Sequence, residues 1–187
     1  MAEQPLTSDD YLETVTIGER KPHRRPIELV EYDPAWPRQF QEEEQKIRRA
    51  LGERALVVEH VGSTSVPDLA AKPVLDIVLA VADSTDEDAY VPALEEAGYV
   101  HRIREPEWHE HRLLKGTDRD VNLHVFSAGC SEIDRMIAFR DHFGQNDADR
   151  ELYQRKKREL AKRTWEYVQH YADAKGEVVE SILSRAR

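Results

Sequence analysis

The chain has 187 residues, 40% of them hydrophobic and 34% charged, with a formal net charge of −10. Such a length can bury a substantial core, and the composition is globular rather than disordered. The acidic balance argues against extended nucleic-acid binding, where cationic groups displace counterions from phosphates, but leaves open a local cationic cleft for one nucleotide. The sequence has no apolar run of the roughly 18 residues that span a bilayer, and its polar start, MAEQPLTSDD, is unlike a secretory leader; no membrane and a cytoplasmic location are expected. The single cysteine, Cys130, permits neither an intrachain disulfide nor a cysteine metal cage.

Residues 1–26 carry Pro5, Gly18, Pro22 and Pro26 without sustained periodicity, and read as a flexible or loosely docked arm before a domain over 27–187. Residues 27–32 read as a short extended segment, and Asp33-Pro34 as a turn or helix start. Trp36, Phe40, Ile47 and Leu51 then make one apolar stripe on a helix that stops at Gly52, with Glu42, Glu43 and Glu44 near its wet side. Residues 55–61 and 74–81 read as strands, the second so apolar that both of its faces should be covered.

Between those strands lies Gly62-Ser63-Thr64-Ser65-Val66-Pro67, followed by a short helical turn through Ala71. Residues 86–97 read as a helix ending at Gly98, and 111–115 and 120–127 as strands, with 99–110 unassigned. Ile133, Met136, Ile137 and Phe143 mark a helix, and 147–187 is rich in helix formers, with Leu152, Leu160, Val168 and Ile182 among its apolar positions. The expected architecture is α/β (α+β): a small mixed β-sheet flanked by helices, with a C-terminal helical segment.

The glycine-hydroxyl turn is the most informative stretch. Gly62 lets the backbone turn and approach a ligand, and the hydroxyl and N–H groups of Ser63, Thr64 and Ser65 suit phosphate oxygens. A helix starting just beyond would add its dipole, and Lys72 a cation. Asp76 stands inside an apolar strand, where an unpaired carboxylate is costly, so it should meet a metal, a cation or hydrogen-bond donors. The residues alone leave two readings open: a phosphate site, or a capped helix with Asp76 paired to Lys72 or an arginine.

Eight histidines are many for this length. His109 and His111 share a face if that stretch is extended, and His60, His111 and His124 with Asp76 would resemble a metal site, without any HExxH-type spacing. Arg140 and Lys157 are candidate phosphate contacts, whereas Lys156, Arg158 and Lys162 read as a salt-bridged outer face. Cys130 has no base beside it in sequence and is given no nucleophilic role.

The HVGSTSVPDLAAKPVLDI block closely resembles the GrpB family, whose version usually has Gly where Asp68 stands. VEYDPAWPRQF, NLHVF, FRDHF and YQRKKRELA resemble further segments of that family in the same order, so the likeness runs from residue 28 to about 170. It implies a fold similar to the polymerase-β-like nucleotidyltransferases. Gly62, Ser63, Thr64, Ser65, Lys72, Arg140 and Lys157 would then bind a nucleotide or phosphorylated small molecule, Ser63, Lys72 and Asp76 would be catalytic, and Asp76 opposite His124 would hold a divalent cation. Such cations spread developing charge and align an in-line attack.

Two departures limit that transfer. Val78 stands where the second strand carboxylate belongs, and His124, flanked by Asn122, where the third belongs. One carboxylate and one imidazole suit Mg²⁺ poorly and Mn²⁺ or Zn²⁺ better. Three functions therefore stay open: transfer of a nucleotidyl group to a small molecule or protein, a non-catalytic phosphate-binding accessory module, or a histidine-based metal hydrolase. GrpB-like segments attached to dephospho-CoA kinase connect the second with coenzyme A metabolism. The oligomeric state is not legible.

Overall fold

The structure is a computed structural model that describes residues 8–19, 27–165 and 168–185. Its centre is one sheet of β1 (Val57–Val61), β2 (Leu75–Val81), β3 (Tyr99–Glu105), β4 (His111–Gly116) and β5 (Val121–Ser127). The spatial order is β1-β2-β5-β4-β3, with β2 and β5 parallel and the other neighbours antiparallel. The mixed sheet flanked by helices is the architecture expected. Ile77, Val78, Leu79 and Ala80 of β2 are each 0% exposed, because the sheet is covered on both faces there.

Alternation along the strands divides the sheet into two chemically different faces. One presents Val58, Ile77, Leu79, Leu123 and Val125 to a core shared with Trp36, Ile47 and Leu51 of α2 (Trp36–Leu51) and Leu94 of α3 (Val91–Glu96). The other presents Val61, Val78, Ala80 and Phe126 to Ile133 of α4 (Ser131–Gln145). Beyond α4, Phe143 packs with Tyr153 of α5 (Asp147–Ala161) and Ile182 of α7 (Gly176–Leu183) against Val66 and Leu69. Tyr171 of α6 (Val168–Asp173) joins Ile27 and Leu160. Burying each such aliphatic or aromatic side chain contributes about 1.5–3 kcal/mol, so the helices lock both ends of the Gly62–Ala71 segment in place.

Four expectations are corrected. The arm read over 1–26 is, in its described part, α1 (Asp9–Val15), capped by Ser8 and followed by a bridge from Thr16 to Ile103 of the edge strand β3. Leu12 and Val15 are buried under it; residues 1–7 and 20–26, with Lys21, Arg24 and Arg25, lie outside the described residues. Glu43 does not face water: it lies on the inward stripe of α2, 5% exposed, where Tyr99, Lys46 and Arg119 share its carboxylate. Residues 86–97 break into a 3₁₀ turn at Glu87–Ala89 and the short α3, since Pro92 starts a new helix. Residues 99–105 form the unassigned fifth strand, its polar YVHRIRE pattern interrupted by a register shift between His101 and Ile103. The expected apolar position Val168 has no described side chain. Among the described residues no helix is long and apolar enough to cross a membrane.

Candidate functional site

The bend after β1 is set by backbone conformation. Gly62 has φ 69°, a left-handed value that favours glycine, and Ser63–Ser65 make a single 3₁₀ turn. No longer helix begins there, so the expected helix dipole is absent. Asp68 also has φ 61°, which explains why glycine suits that position and why aspartate, tolerant of this region, can replace it.

Val61 pairs with Asp76 across β1 and β2, Asp76 with Asn122 across β2 and β5, and Asn122 with Lys115 across β5 and β4. One row of side chains on the α4 face therefore reads Val61, Asp76, Asn122, Lys115. Asn122 Nδ2 donates to Asp76 Oδ1 at 2.7 Å and its Oδ1 accepts from Lys115 Nζ. His124, one row along, places Nε2 3.6 Å from Asp76 Oδ1. Burial works against ionisation of Asp76, but the hydrogen bond and charge of His124, with Asn122 and Lys72, prevail and hold the carboxyl down at about 2.

Behind His124 runs a chain of hydrogen bonds: His111 Nε2 lies 3.1 Å from His124 Nδ1, His111 Nδ1 lies 2.6 Å from Glu105 Oε2, and Tyr11 of α1 donates to Glu105 Oε1 at 2.7 Å. Burial holds His111 down to about 4, against the opposing pull of Glu105. This chain fixes the orientation of the His124 ring toward Asp76.

Lysines come to the carboxylate from four separate stretches of the chain. Lys157 of α5 is 2% exposed, and its Nζ donates to Ser63 Oγ at 3.0 Å and to the Ala70 carbonyl. Burial pushes it down to about 6, helped by Lys175 and Arg158 and opposed by Asp76. Lys72 and Lys175 sit over the ring of Tyr171, with Nζ 5.6 and 4.6 Å from its centroid, and burial holds each at about 8. Lys115 is also lowered, by burial, while Asp76 opposes. The Tyr171 hydroxyl is the buried side-chain polar atom that has no hydrogen-bond partner among the described residues. Burial pushes Tyr153 up to about 12, and its ring centroid lies 4.9 Å from Lys157 Nζ.

The expected residues thus divide. Gly62, Ser63, Lys72, Asp76, His124 and Lys157 converge. Thr64 and Ser65 do not present their hydroxyls: Thr64 Oγ1 is buried between His60 Nε2 and the Val74 carbonyl, and Ser65 Oγ donates to the Gly62 carbonyl at 2.6 Å. Arg140 is not free for phosphate either, because Glu59, Asp141 and the His60 carbonyl hold its guanidinium. His60 does not join His111 and His124: it projects from the opposite sheet face, stacked on Phe40. His109 lies in the turn before β4 with φ 54° rather than in a strand. Arg158 pairs with Glu31 and Lys156 with Glu159, the outer-face arrangement read for them.

Sequence reasoning passed over Lys115, Tyr153, Tyr171 and Lys175. Lys115 carries a recoverable signal, since it directly precedes a turn and faces Asn122 in the hairpin. Tyr171 and Lys175 carry none, because nothing local tells where α6 docks.

Among the described residues, no group of three or more histidine, cysteine or acidic side chains is placed to hold a metal ion. Asp76 and His124 supply two donors, and Val78, at the expected second carboxylate, is 0% exposed in the apolar core. The residues do not fit a self-sufficient two-metal centre.

Residues 26–185 match the family described as GrpB protein. A UPF0157 protein of Halalkalibacterium halodurans is 59% identical over 179 residues, covering 96% of this chain and 92% of that protein. The crystal structure of the conserved protein GrpB from Enterococcus faecalis superposes with a TM-score of 0.75 at 34% identity, over 85% of this chain and 96% of that one. A dephospho-CoA kinase of Mycolicibacterium paratuberculosis is 43% identical over 86 residues, which is 44% of this chain but 21% of the kinase.

Proposed function

The chain belongs to the GrpB family, and on that premise we propose that the cleft over Ser63 and Asp76 binds a nucleotide or another phosphorylated small molecule by its phosphates and transfers a nucleotidyl group from it. The observation that carries this reading is the meeting of Lys72, Lys115 and Lys175 around one carboxylate, with Lys157 beside Ser63 and a buried tyrosine hydroxyl that lacks a partner among the described residues. Clustered ammonium groups repel one another, and an anion with several charged oxygens relieves that repulsion. Lys72 and Lys175 suit the phosphate chain, Ser63 and Tyr171 offer neutral donors, and Asp76 marks the end where a cation would enter. A divalent cation would be held by Asp76 and His124. It would offset phosphate charge and supply Lewis acidity at phosphorus.

A second reading keeps the cleft but not the chemistry. Val78 leaves the carboxylate set incomplete, and the likeness to part of a dephospho-CoA kinase favours a phosphate-binding accessory module working beside coenzyme A metabolism. One experiment separates the two. The protein is incubated with each labelled nucleoside triphosphate, with Mg²⁺, Mn²⁺ or Zn²⁺, while melting temperature is followed in parallel. Nucleotide-dependent stabilisation together with pyrophosphate release supports transfer; stabilisation without turnover supports the module; neither would refute the phosphate site.

A further inference from the structure

We propose that Ser63 is itself the acceptor in this cleft: its Oγ attacks the α-phosphorus of a bound nucleoside triphosphate, and Lys157 takes the hydroxyl proton. The inference rests on the phosphate-site reading above and names the group that reading leaves open.

The anomaly that points to it is Lys157. A lysine only 2% exposed normally meets a carboxylate, yet among the described residues its Nζ has no ion pair; its partners are Ser63 Oγ at 3.0 Å and the Ala70 carbonyl. An uncompensated ammonium in such a place gives up its proton, and burial with the neighbouring cations Lys175, Arg158 and Lys72 brings Lys157 to about 6 against the pull of Asp76. A neutral amine has two N–H bonds and one lone pair. The Ala70 carbonyl accepts one N–H, and the ring of Tyr153, 4.9 Å from Nζ, covers another side of the nitrogen. The contact at 3.0 Å, in which the ammonium donates to Ser63 Oγ, reverses when the amine is neutral, so that its lone pair accepts the Ser63 O–H. A hydroxyl beside a neutral amine is the arrangement that activates a serine nucleophile.

The surroundings serve the same step. Ser63 is half-buried on a bend fixed by Gly62, so its oxygen cannot swing away with the chain. Tyr153 stays protonated, since burial pushes it up to about 12, and it cannot compete as a base. Asp76 Oδ1 is already engaged by Asn122 and lies close to His124. Lys72 and Lys175 lie over Tyr171, where the leaving phosphates would rest.

The balance is simple. A bond forms between Ser63 Oγ and the α-phosphorus, the bond from that phosphorus to the bridging oxygen breaks, and pyrophosphate leaves with that electron pair. The hydroxyl proton moves to Lys157 Nζ, whose new charge lies beside the phosphodiester anion. No oxidant or reductant takes part. The product is a chain carrying one nucleoside monophosphate on Ser63.

The full chain is incubated with ATP, GTP, CTP and UTP in turn, each with Mg²⁺ or Mn²⁺, and analysed by intact mass and peptide mapping, with thermal shift recorded on the same samples. The expected result is a single nucleoside monophosphate adduct on the peptide containing Ser63. Ser63→Ala loses the adduct. Lys157→Arg keeps hydrogen bonding but stays protonated, with no basic lone pair at neutral pH, and slows adduct formation about a hundredfold or more. In the unsubstituted protein the adduct rate rises with pH through about 6, a dependence that a merely structural lysine would not give. A thermal shift with no adduct under any nucleotide, an adduct on another residue, or an equal rate in Lys157→Arg overturns the proposal while leaving the phosphate site standing. Absence of both shift and adduct overturns the two together.

Discussion

Gly62 lies directly over the carboxylate of Asp76: a Cβ built on the glycine would come within 2.5 Å of Asp76 Oδ2 and 2.9 Å of Asp76 Cβ. The contact with Cβ matters more than the contact with oxygen, because a carboxylate can rotate whereas Cβ moves only with the strand. Gly62→Ala therefore strains a left-handed backbone and pushes β1 and β2 apart at the Val61–Asp76 pairing. The expected loss is about 2 kcal/mol or more in urea unfolding at neutral pH. A change smaller than about 0.5 kcal/mol would show that the bend is not rigid and that the cleft has no fixed floor.

Anion binding should follow the lysines and not the hydroxyls of the turn. Changing Lys72 or Lys175 to Gln removes a charge that stands over Tyr171. Pyrophosphate affinity is expected to fall about tenfold for each change, as loss of a charged hydrogen bond gives. Ser65→Ala, which removes an intraturn bond to the Gly62 carbonyl, should leave affinity within about twofold. Calorimetric titration distinguishes the two patterns. Equal losses in all three variants would mean that the ligand sits on the turn, away from the lysine cluster.

Much of the site was legible because it depends on local chemistry. An aspartate in the run VLDIVLAV has few structural excuses, and a Gly-Ser bend one loop away supplies the counterpart. His124 was placed near Asp76 by family resemblance, and the two lie within 3.6 Å. Illegible were the contributions that depend on docking. Tyr171 and Lys175 reach the cleft only because α6 and α7 fold back over α5, and the packing of a short amphipathic helix is set by its partners. Thr64 misled in the opposite way: its hydroxyl suits a phosphate, but the His60 ring claimed it, a contact invisible until β1 had a face. Glu43 misled because three consecutive glutamates read as one wet surface, although a helix turns by about 100° per residue and the middle one faces the core.

Acid should unfold the protein through its buried imidazoles before its carboxylates. His60 and His111, 7% and 3% exposed, are held at about 4 by burial, far below the 6.5 of a free ring. Below about 6.5 the unfolded chain binds protons at these positions and the folded chain does not until about 4, so stability falls as pH drops through that window. The slope is about 1.4 kcal/mol per pH unit for each ring. His60→Gln keeps a partner for Thr64 but cannot titrate, and should lessen the fall in urea midpoint between pH about 7 and about 5, with His111 and His101 left to supply the rest. A variant with the unchanged slope would mean that the His60 ring is already charged in the native state.

Asp76→Asn tests where a cation enters. The amide has the shape of the carboxylate, so Gly62 still fits above it, and the Asn122 amide can still donate to its oxygen. The fold should hold, with an unchanged melting temperature to within a few degrees, about 1 kcal/mol. Two effects on metal-free phosphate binding then oppose each other. Removing the negative charge lessens repulsion of the anion, but it also withdraws the field that favours the charged forms of Lys157, Lys72 and Lys175. Metal-free affinity should consequently change by only a few-fold. Any gain in affinity that Mn²⁺ or Mg²⁺ brings should vanish, because His124 alone leaves the ion without a charged oxygen ligand from the chain. Titration of pyrophosphate into both proteins, with and without Mn²⁺, reads the two contributions separately. A metal-dependent gain that survives in Asp76→Asn would place the cation elsewhere and remove this carboxylate from the chemistry of the cleft.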